Sequence, residues 1–194
     1  MSAPPRVVLL DSCAYFRLAR SIHPLLAESF GPAPPYSLFV LSALDSEYFT
    51  SSRLKHKFEW VNGPEYRRDR ETKRYSCKGT WAPKAESAFS FLAGYAREQG
   101  LNVASEDLKA LAAGFTRNIT VVSDDRALRQ VADAHGLTCM GTLDLLKIMV
   151  DCQRVTKDRV TEILEYLDHE EDLPMGKEAL RKRYREIFGS DCPV

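Results

Sequence analysis

Short apolar runs that end abruptly in acidic residues are the feature that most limits how this chain can fold. In residues 119–128, with the sequence ITVVSDDRAL, four largely apolar residues come directly before Ser123, Asp124 and Asp125. The segment that follows carries apolar residues at helical spacing, so the pattern predicts a buried parallel strand that leads into a helix. Residues 6–11, RVVLLD, repeat this pattern, with Asp11 directly after the apolar run.

Two further apolar runs, residues 37–42 and 137–140, predict additional strands, and segments with helical spacing separate them. Strands that alternate with helices predict a parallel sheet covered by helices on both faces. We therefore expect an α/β fold: a three-layer α/β/α sandwich with a central parallel sheet, plus C-terminal helices. Residues 13–30 are expected to form a helix that is bent or interrupted at Pro24.

The length of 194 residues suits one domain with an appendage. We predict a main domain over residues 1–152 and a C-terminal helical extension over residues 153–194. Two amphipathic segments form the extension, residues 156–168 and 177–188. They either pack back on the sheet or offer an apolar face to a partner, and packing back is the favoured alternative.

Charge and cysteine usage narrow the classes of function. Lys and Arg number 27 and so do Asp and Glu, so no net charge draws the whole chain to nucleic acid. Five scattered cysteines without a Cys-x-x-Cys pair argue against a disulfide framework or a zinc site and favour reduced thiols. No apolar run has transmembrane length, and the first residues lack the pattern of a signal peptide. We therefore expect a cytoplasmic protein with no membrane association.

Acidic residues from separate parts of the chain should meet at one edge of the sheet, because right-handed crossovers bring all the strands' carboxyl ends there. Asp11, Asp124 and Asp125 follow strands directly. Glu47 lies about one turn inside the helix after the second strand, and Asp107 lies in the first turn of the helix before the central strand. Each carboxylate alone could simply stabilise a helix N-terminus. Several ionised carboxylates close together repel one another, which costs free energy unless they are protonated or bound to a cation. Their oxygen atoms are suitable ligands for Mg²⁺ or Mn²⁺.

Residues 53–84 form a predicted basic insertion, with ten Lys or Arg against four Asp or Glu, a local excess of six positive charges. Aromatic residues, among them Trp60 and Trp81, lie between the charges. Cations for phosphates and flat faces for bases suit single-stranded nucleic acid. The alternative is a solvated insertion whose aromatic residues pack on the domain. The basic residues predicted to bind substrate are Arg67, Arg68, Arg70, Lys73 and Arg74.

Four acidic motifs, in this order along the chain, resemble those of PIN-domain nucleases. They are VLLDS at residues 8–12, LSALDSEY at 41–48, DLKALAA at 107–113 and VVSDDR at 121–126. HGLTCMGTLDLL at residues 135–146 also looks like the end of bacterial PIN domains. The resemblance covers residues 6–150 and is to bacterial, VapC-like ribonucleases. It implies an α/β/α sandwich and a Mg²⁺- or Mn²⁺-dependent nuclease that usually acts on single-stranded RNA.

The resemblance also implies roles for individual residues. The metal-binding and catalytic acids of the family match four residues of this chain: Asp11, Glu47, Asp107 and Asp125. Asp124 occupies a more variable position, so we expect an accessory metal ligand there. Ser123 matches the Thr or Ser that commonly precedes the last acid by two positions, and we assign it to substrate binding together with Ser12. The basic insertion is longer than a compact toxin of this family needs, and the two C-terminal helices are additional to it.

The first functional hypothesis is therefore a metal-dependent endoribonuclease that hydrolyses phosphodiester bonds of single-stranded RNA. Many bacterial members of the family are toxins held by an antitoxin protein, and several form homodimers, so the resemblance allows both partners. A second hypothesis is a catalytically silent PIN-like module that binds RNA or protein. A third, a receiver or phosphatase phosphorylated on Asp11, lacks a well-placed late Lys, and Cys13 stands where a phosphatase favours a second Asp.

Overall fold

Five short parallel strands form the centre of the protein in a computed structural model, which describes residues 4–194. The strands β1 to β5 span Arg6–Leu10, Tyr36–Leu41, Arg74–Tyr75, Thr120–Val122 and Cys139–Met140. Their order is β3-β2-β1-β4-β5, and every neighbouring pair is parallel. In this register Leu10 lies opposite both Val40 and Val122, so the residues that follow β1 and β4 leave the sheet at the same edge.

Helices connect the strands and cover the sheet. In chain order, α1 to α10 span Ser12–Leu18, Ala43–Thr50, Ser52–Lys57, Pro64–Thr72, Ala82–Glu98, Ser105–Arg117, Arg126–Ala134, Thr142–Asp151, Lys157–His169 and Lys177–Phe188. Two short 3₁₀ helices span Glu59–Asn62 and Gly79–Trp81. Within residues 4–194, no helix is both long and apolar enough to span a membrane.

Alternate residues of the strands contribute to two hydrophobic cores, one on each face of the sheet. Val8 and Leu10 pack in the core that also contains residues of α1, α2 and α8 to α10. Leu9 and Val121 pack in the core with residues of α5, α6 and α7. This division follows from the two-residue period of a strand, whose side chains point to opposite faces in turn. The predicted three-layer α/β/α sandwich with a central parallel sheet is confirmed.

The C-terminal helices pack back on the domain, which is the favoured alternative of the two. Leu164 of α9 is fully buried, and Tyr184 of α10 is only 1% exposed, both in the core that contains Val8 and Leu10. A separate domain boundary after residue 152 stays a prediction. The shared core shows that α9 and α10 bury their apolar faces against this part of the chain.

The helix predicted for residues 13–30 is wrong beyond Leu18, where α1 ends. The backbone there finds a hydrogen-bond acceptor outside the helix, in the carboxylate of Asp69, which is 4% exposed. Three consecutive backbone N–H groups donate to this carboxylate at 3.1, 3.0 and 2.6 Å: those of Leu25, Leu26 and Ala27. Buried backbone donors need a partner, and Asp69 provides it in place of a further helical turn.

Residues 53–84 contribute secondary structure to the domain, because they include α4 and the edge strand β3. Their aromatic side chains pack on other parts of the protein. The ring of Tyr66 lies 4.7 Å from that of His23, and Tyr75 packs edge-on against Phe39 at 6.1 Å. These contacts agree with the alternative in which the aromatic residues of this stretch pack on the domain.

Candidate active site at the carboxyl edge of the sheet

Asp11 follows β1 and combines a capping contact with deep burial. Its Oδ1 accepts a hydrogen bond from the backbone N–H of Ala14 at 2.6 Å, so it is the N-cap of α1. Its own N–H donates to the carbonyl of Val122 at 3.0 Å, which joins it to the end of β4. Burial raises the pKa of Asp11 to about 6, although hydrogen bonds from Ser123 and Ala14 oppose the rise.

Asp107 lies in the first turn of α6 and is half-buried. Burial raises its pKa to about 7, and the negative charges of Asp11, Glu47 and Asp125 add to the rise. Like charges act on one another in this way only over short distances. Three of the acids predicted from the motifs therefore act on the fourth, Asp107, although they come from separate parts of the chain.

The two serines predicted to bind substrate make contacts with the acids. The hydroxyl of Ser12, a buried residue, donates to Oε2 of Glu47 at 2.5 Å. Ser123 is fully buried, and its hydroxyl accepts the backbone N–H of Asp125 at 3.1 Å. Both hydroxyls thus hold acidic residues in position, and substrate contact by either serine stays a prediction.

Asp125 and Asp124 are adjacent in sequence but have different surroundings. Asp125 is the N-cap of α7 and accepts the N–H of Leu128 at 2.6 Å. Asp124 is buried, and both of its oxygens are occupied. Oδ1 accepts a hydrogen bond from the backbone N–H of Thr142 at 2.9 Å. Oδ2 accepts one from the Thr142 hydroxyl and one from Arg17 Nη1, the second at 2.9 Å. These bonds tie the end of β4 to α1 and α8, which favours an anchoring role for Asp124 over that of an accessory metal ligand.

A narrow cavity of about 10 Å³ lies among the acids, and its lining includes Asp11, Ser12, Asp107 and Glu106. Glu106 was not among the predicted site residues, and its Oε2 is buried without a hydrogen-bond partner. Carboxylate oxygens that lack donors suit a hard cation such as Mg²⁺ or Mn²⁺. In the present side-chain conformations, no three Asp, Glu, His or Cys residues of the described chain surround a single point as metal ligands would. The donor type fits a divalent ion, and binding one requires the carboxylates to draw together.

The basic residues predicted to bind substrate do not share one environment. Arg70 is 2% exposed, and its guanidinium donates to Asp45 at 2.9 Å, to the Tyr15 hydroxyl at 3.1 Å and to the carbonyl of Val61 at 3.0 Å. It is a core cation that links α4 to α1 and α2, and it is not available at the surface.

The other four predicted residues are more accessible. Arg74 pairs with Asp45, and Lys73 Nζ donates to the Ser37 hydroxyl at 2.9 Å. Arg67 and Arg68 are exposed on α4. Contact of these four residues with a nucleic acid stays a prediction.

A larger groove of about 320 Å³ opens beside Glu47. It is lined by side chains of α1, α2 and α3 and by Asp172 from the loop between α9 and α10. Its two cations, Arg53 and Lys57, belong to the basic stretch but were not among the predicted substrate-binding residues. In the sequence, only the positive charge of these two residues pointed to a role in binding substrate. Their position beside Glu47 depends on the turn between α2 and α3 at Ser51.

Three solved structures resemble this chain over 70% of its length. FitAcB from Neisseria gonorrhoeae is 13% identical, is covered over 97% of its own chain and has a TM-score of 0.46. VapBC2 from Rickettsia felis, bound to a DNA fragment from its promoter, is 10% identical, with 98% of that chain covered and a TM-score of 0.41. VapBC-1 from nontypeable Haemophilus influenzae is 13% identical, with 98% covered and a TM-score of 0.41.

No curated protein matches the chain significantly. A family model described as a PIN domain (DUF3368) matches residues 38–186, about three quarters of the sequence. The match begins after β1, so it includes Glu47, Asp107 and Asp125 and leaves Asp11 outside. It also includes α9 and most of α10. By this match, the chain belongs to the PIN-domain family.

Proposed function

We propose that the chain is a metal-dependent endoribonuclease that hydrolyses phosphodiester bonds in single-stranded RNA. The observation that carries this proposal is that four acids lie at the carboxyl edge of the sheet: Asp11, Glu47, Asp107 and Asp125. Asp11 and Asp107 line one cavity there, Ser12 of the same cavity donates a hydrogen bond to Glu47, and Asp125 caps α7. The charges of the other three acids add to the rise in the pKa of Asp107 that burial causes. Membership of the PIN-domain family supports the nuclease class, because the acids match the motifs of PIN-domain nucleases.

The same four carboxylates would hold the cation. A divalent ion bound there would activate water for attack on phosphorus and stabilise the leaving oxygen. The chain itself holds the acids in place: the N–H groups of Ala14 and Leu128 fix Asp11 and Asp125, and the Ser12 hydroxyl fixes Glu47. Burial at this edge makes ionised Asp11 and Asp107 costly without a neutralising charge, so the free protein favours cation binding.

A catalytically silent PIN-like module is the second candidate function. One observation favours it: within residues 4–194, no three potential ligands converge on a single point. A protein of this kind would retain RNA on its basic surface without cleaving it. The two candidates therefore differ in whether a divalent ion changes the RNA.

The test is cleavage of a mixed pool of single-stranded RNA in Mg²⁺, in Mn²⁺ or in EDTA, with Asp11→Asn and Asp107→Asn beside the unaltered protein. We expect metal-dependent products that both substitutions abolish. Asp133→Asn is a matched control, because Asp133 is an exposed aspartate on α7, outside the acid cluster.

Full cleavage by a folded Asp11→Asn protein would refute the proposed site. RNA retention without products in either metal would support the binding module instead. An antitoxin partner and a homodimer stay predictions from the family resemblance. The molar mass of the purified chain, measured by light scattering, tests the homodimer directly.

A further inference from the structure

The groove beside Glu47 combines apolar faces with positive charge. Phe16 and Phe58 line it, and their rings are stacked, with centroids 4.7 Å apart and planes 13° apart. Lys57 and Arg53 line the same groove. Its volume of about 320 Å³ lies near the lower end of the range for small-molecule sites, roughly 300 to 1,000 Å³.

One wall of the groove comes from the C-terminal part of the chain. Asp172, in the loop between α9 and α10, is held by Arg17, whose Nε donates to the Asp172 carbonyl at 3.0 Å. The side chain of Asp172 brings a negative charge to the groove in addition to that of Glu47. Its Oδ1 lies 3.4 Å from Lys57 Nζ and 3.6 Å from Arg17 Nη2.

These two ion pairs are loose compared with the other contacts of Arg17. Both are longer than a hydrogen-bonded pair, and the Lys57 side chain is 34% exposed. Partly exposed ion pairs of this kind contribute little free energy, so another anion can replace the carboxylate at Lys57 at low cost. Of the two cations that pair with Asp172, Arg17 is also bound to Asp124 at 2.9 Å. Lys57 is therefore the one that can exchange Asp172 for another anion.

We propose that this groove binds one nucleotide of a single-stranded RNA, with its phosphate on Lys57, and that Asp172 competes with that phosphate for the same ammonium group. The inference rests on the proposed function, since it places the nucleotide beside the acid cluster at Glu47. Phe58 contributes an aromatic ring to the groove, with Lys57 Nζ 5.4 Å from the ring centroid, and aromatic rings commonly contact bases in single-strand sites. The C-terminal loop thereby reduces the affinity of the free protein for RNA.

The experiment measures RNA binding in EDTA, where no cleavage occurs, by fluorescence anisotropy of a short fluorescein-labelled oligouridylate. The full chain is compared with Asp172→Asn, Lys57→Ala and the double variant. Asparagine removes the competing charge, and the backbone carbonyl at position 172 can still accept the bond from Arg17. We expect Asp172→Asn to tighten binding about two- to five-fold, the range that corresponds to a partly exposed ion pair.

Lys57→Ala should weaken binding, and Asp172→Asn should then have no effect in the Lys57→Ala background. Asp168→Asn is the matched control, because Asp168 lies on the same hairpin but pairs with Lys177. An equal gain from Asp168→Asn, or an unchanged gain in the Lys57→Ala background, would show only a general charge effect and overturn the proposal. Absence of RNA binding would overturn it as well. Coupling between Asp172 and Lys57 without any cleavage in Mg²⁺ would support the groove and refute only the nuclease function.

Discussion

Replacing Asp11 by Asn should stabilise the metal-free protein at neutral and alkaline pH. Asp11 is 4% exposed, and its pKa in the folded protein is about 6 against 3.8 for an ordinary Asp. Because the folded-state pKa is the higher one, the folded protein binds the proton more tightly than the unfolded chain does. The free energy of unfolding therefore falls as the pH rises from about 4 to above 6. Asparagine has nearly the same shape and no charge to bury.

The size of the effect follows from the pKa. The difference between 3.8 and about 6 corresponds to about 3 kcal/mol at high pH, since each pKa unit is worth about 1.4 kcal/mol. The amide can still accept the N–H of Ala14, but its NH₂ group must face the Ser123 hydroxyl, for which we allow a cost of about 1 kcal/mol. The expected net gain is about 2 kcal/mol at pH 8 and close to zero near pH 4.5, where the wild-type carboxyl is largely protonated when folded.

The assay is urea unfolding in EDTA at both pH values, for the unaltered chain, Asp11→Asn and the exposed control Asp133→Asn. The informative quantity is the difference in free energy of unfolding between Asp11→Asn and the unaltered chain. It should rise by about 2 kcal/mol between pH 4.5 and pH 8, while that of the control stays flat. A difference that is the same at both pH values would refute the claim that Asp11 is costly to ionise in the folded protein.

Three further predictions concern the framework around the site. Arg70→Met should lower the free energy of unfolding by about 3 kcal/mol, because it leaves buried acceptors unpaired, and it should leave the salt dependence of RNA binding unchanged. Arg68→Ala serves as the surface comparison. An altered salt dependence for Arg70→Met alone would contradict the assignment of Arg70 as a core cation. Asp69→Ala should cost about 3 kcal/mol in urea unfolding, since three backbone donors lose their acceptor, and a loss below about 1 kcal/mol would argue against that role. Leu164→Ala should cost about 2 to 5 kcal/mol within one cooperative transition, whereas a separate early transition would indicate an independent C-terminal unit.

The sequence predicts the central strands and the acids because both depend on local patterns. A strand buried on both faces is continuously apolar, so the step from Leu10 to Asp11 marks where β1 ends. The same pattern locates β2 and β4. In contrast, β3 has only two residues, Arg74 and Tyr75, and lies at the sheet edge. So short a segment, with one charged residue, has no period by which to recognise it.

The parts that the sequence did not predict depend on contacts between distant residues. The end of α1 is set by Asp69, which lies more than forty positions further along the chain from the three backbone donors. Arg70 belongs to a basic run and has the local character of a surface residue, yet Asp45, 25 positions away, pairs with it in the interior. Asp172 reaches the groove across 155 positions from Arg17. None of these partners can be identified from neighbouring residues.

The central place of β1 has a consequence for the order in which the protein is synthesised. Val8 lies opposite Leu38 of β2 on one side and opposite Thr120 of β4 on the other. One side of the first strand therefore stays unpaired until most of the chain has been made. A nascent chain that stops before β4 can neither bury Leu9 against Val121 nor bring Asp125 to Asp11. Closing so long a loop is entropically costly before any contact forms. We therefore expect the proposed site to assemble late: a ribosome-bound fragment that ends before β4 carries Asp11, Glu47 and Asp107 but neither Asp125 nor the arrangement of the four acids.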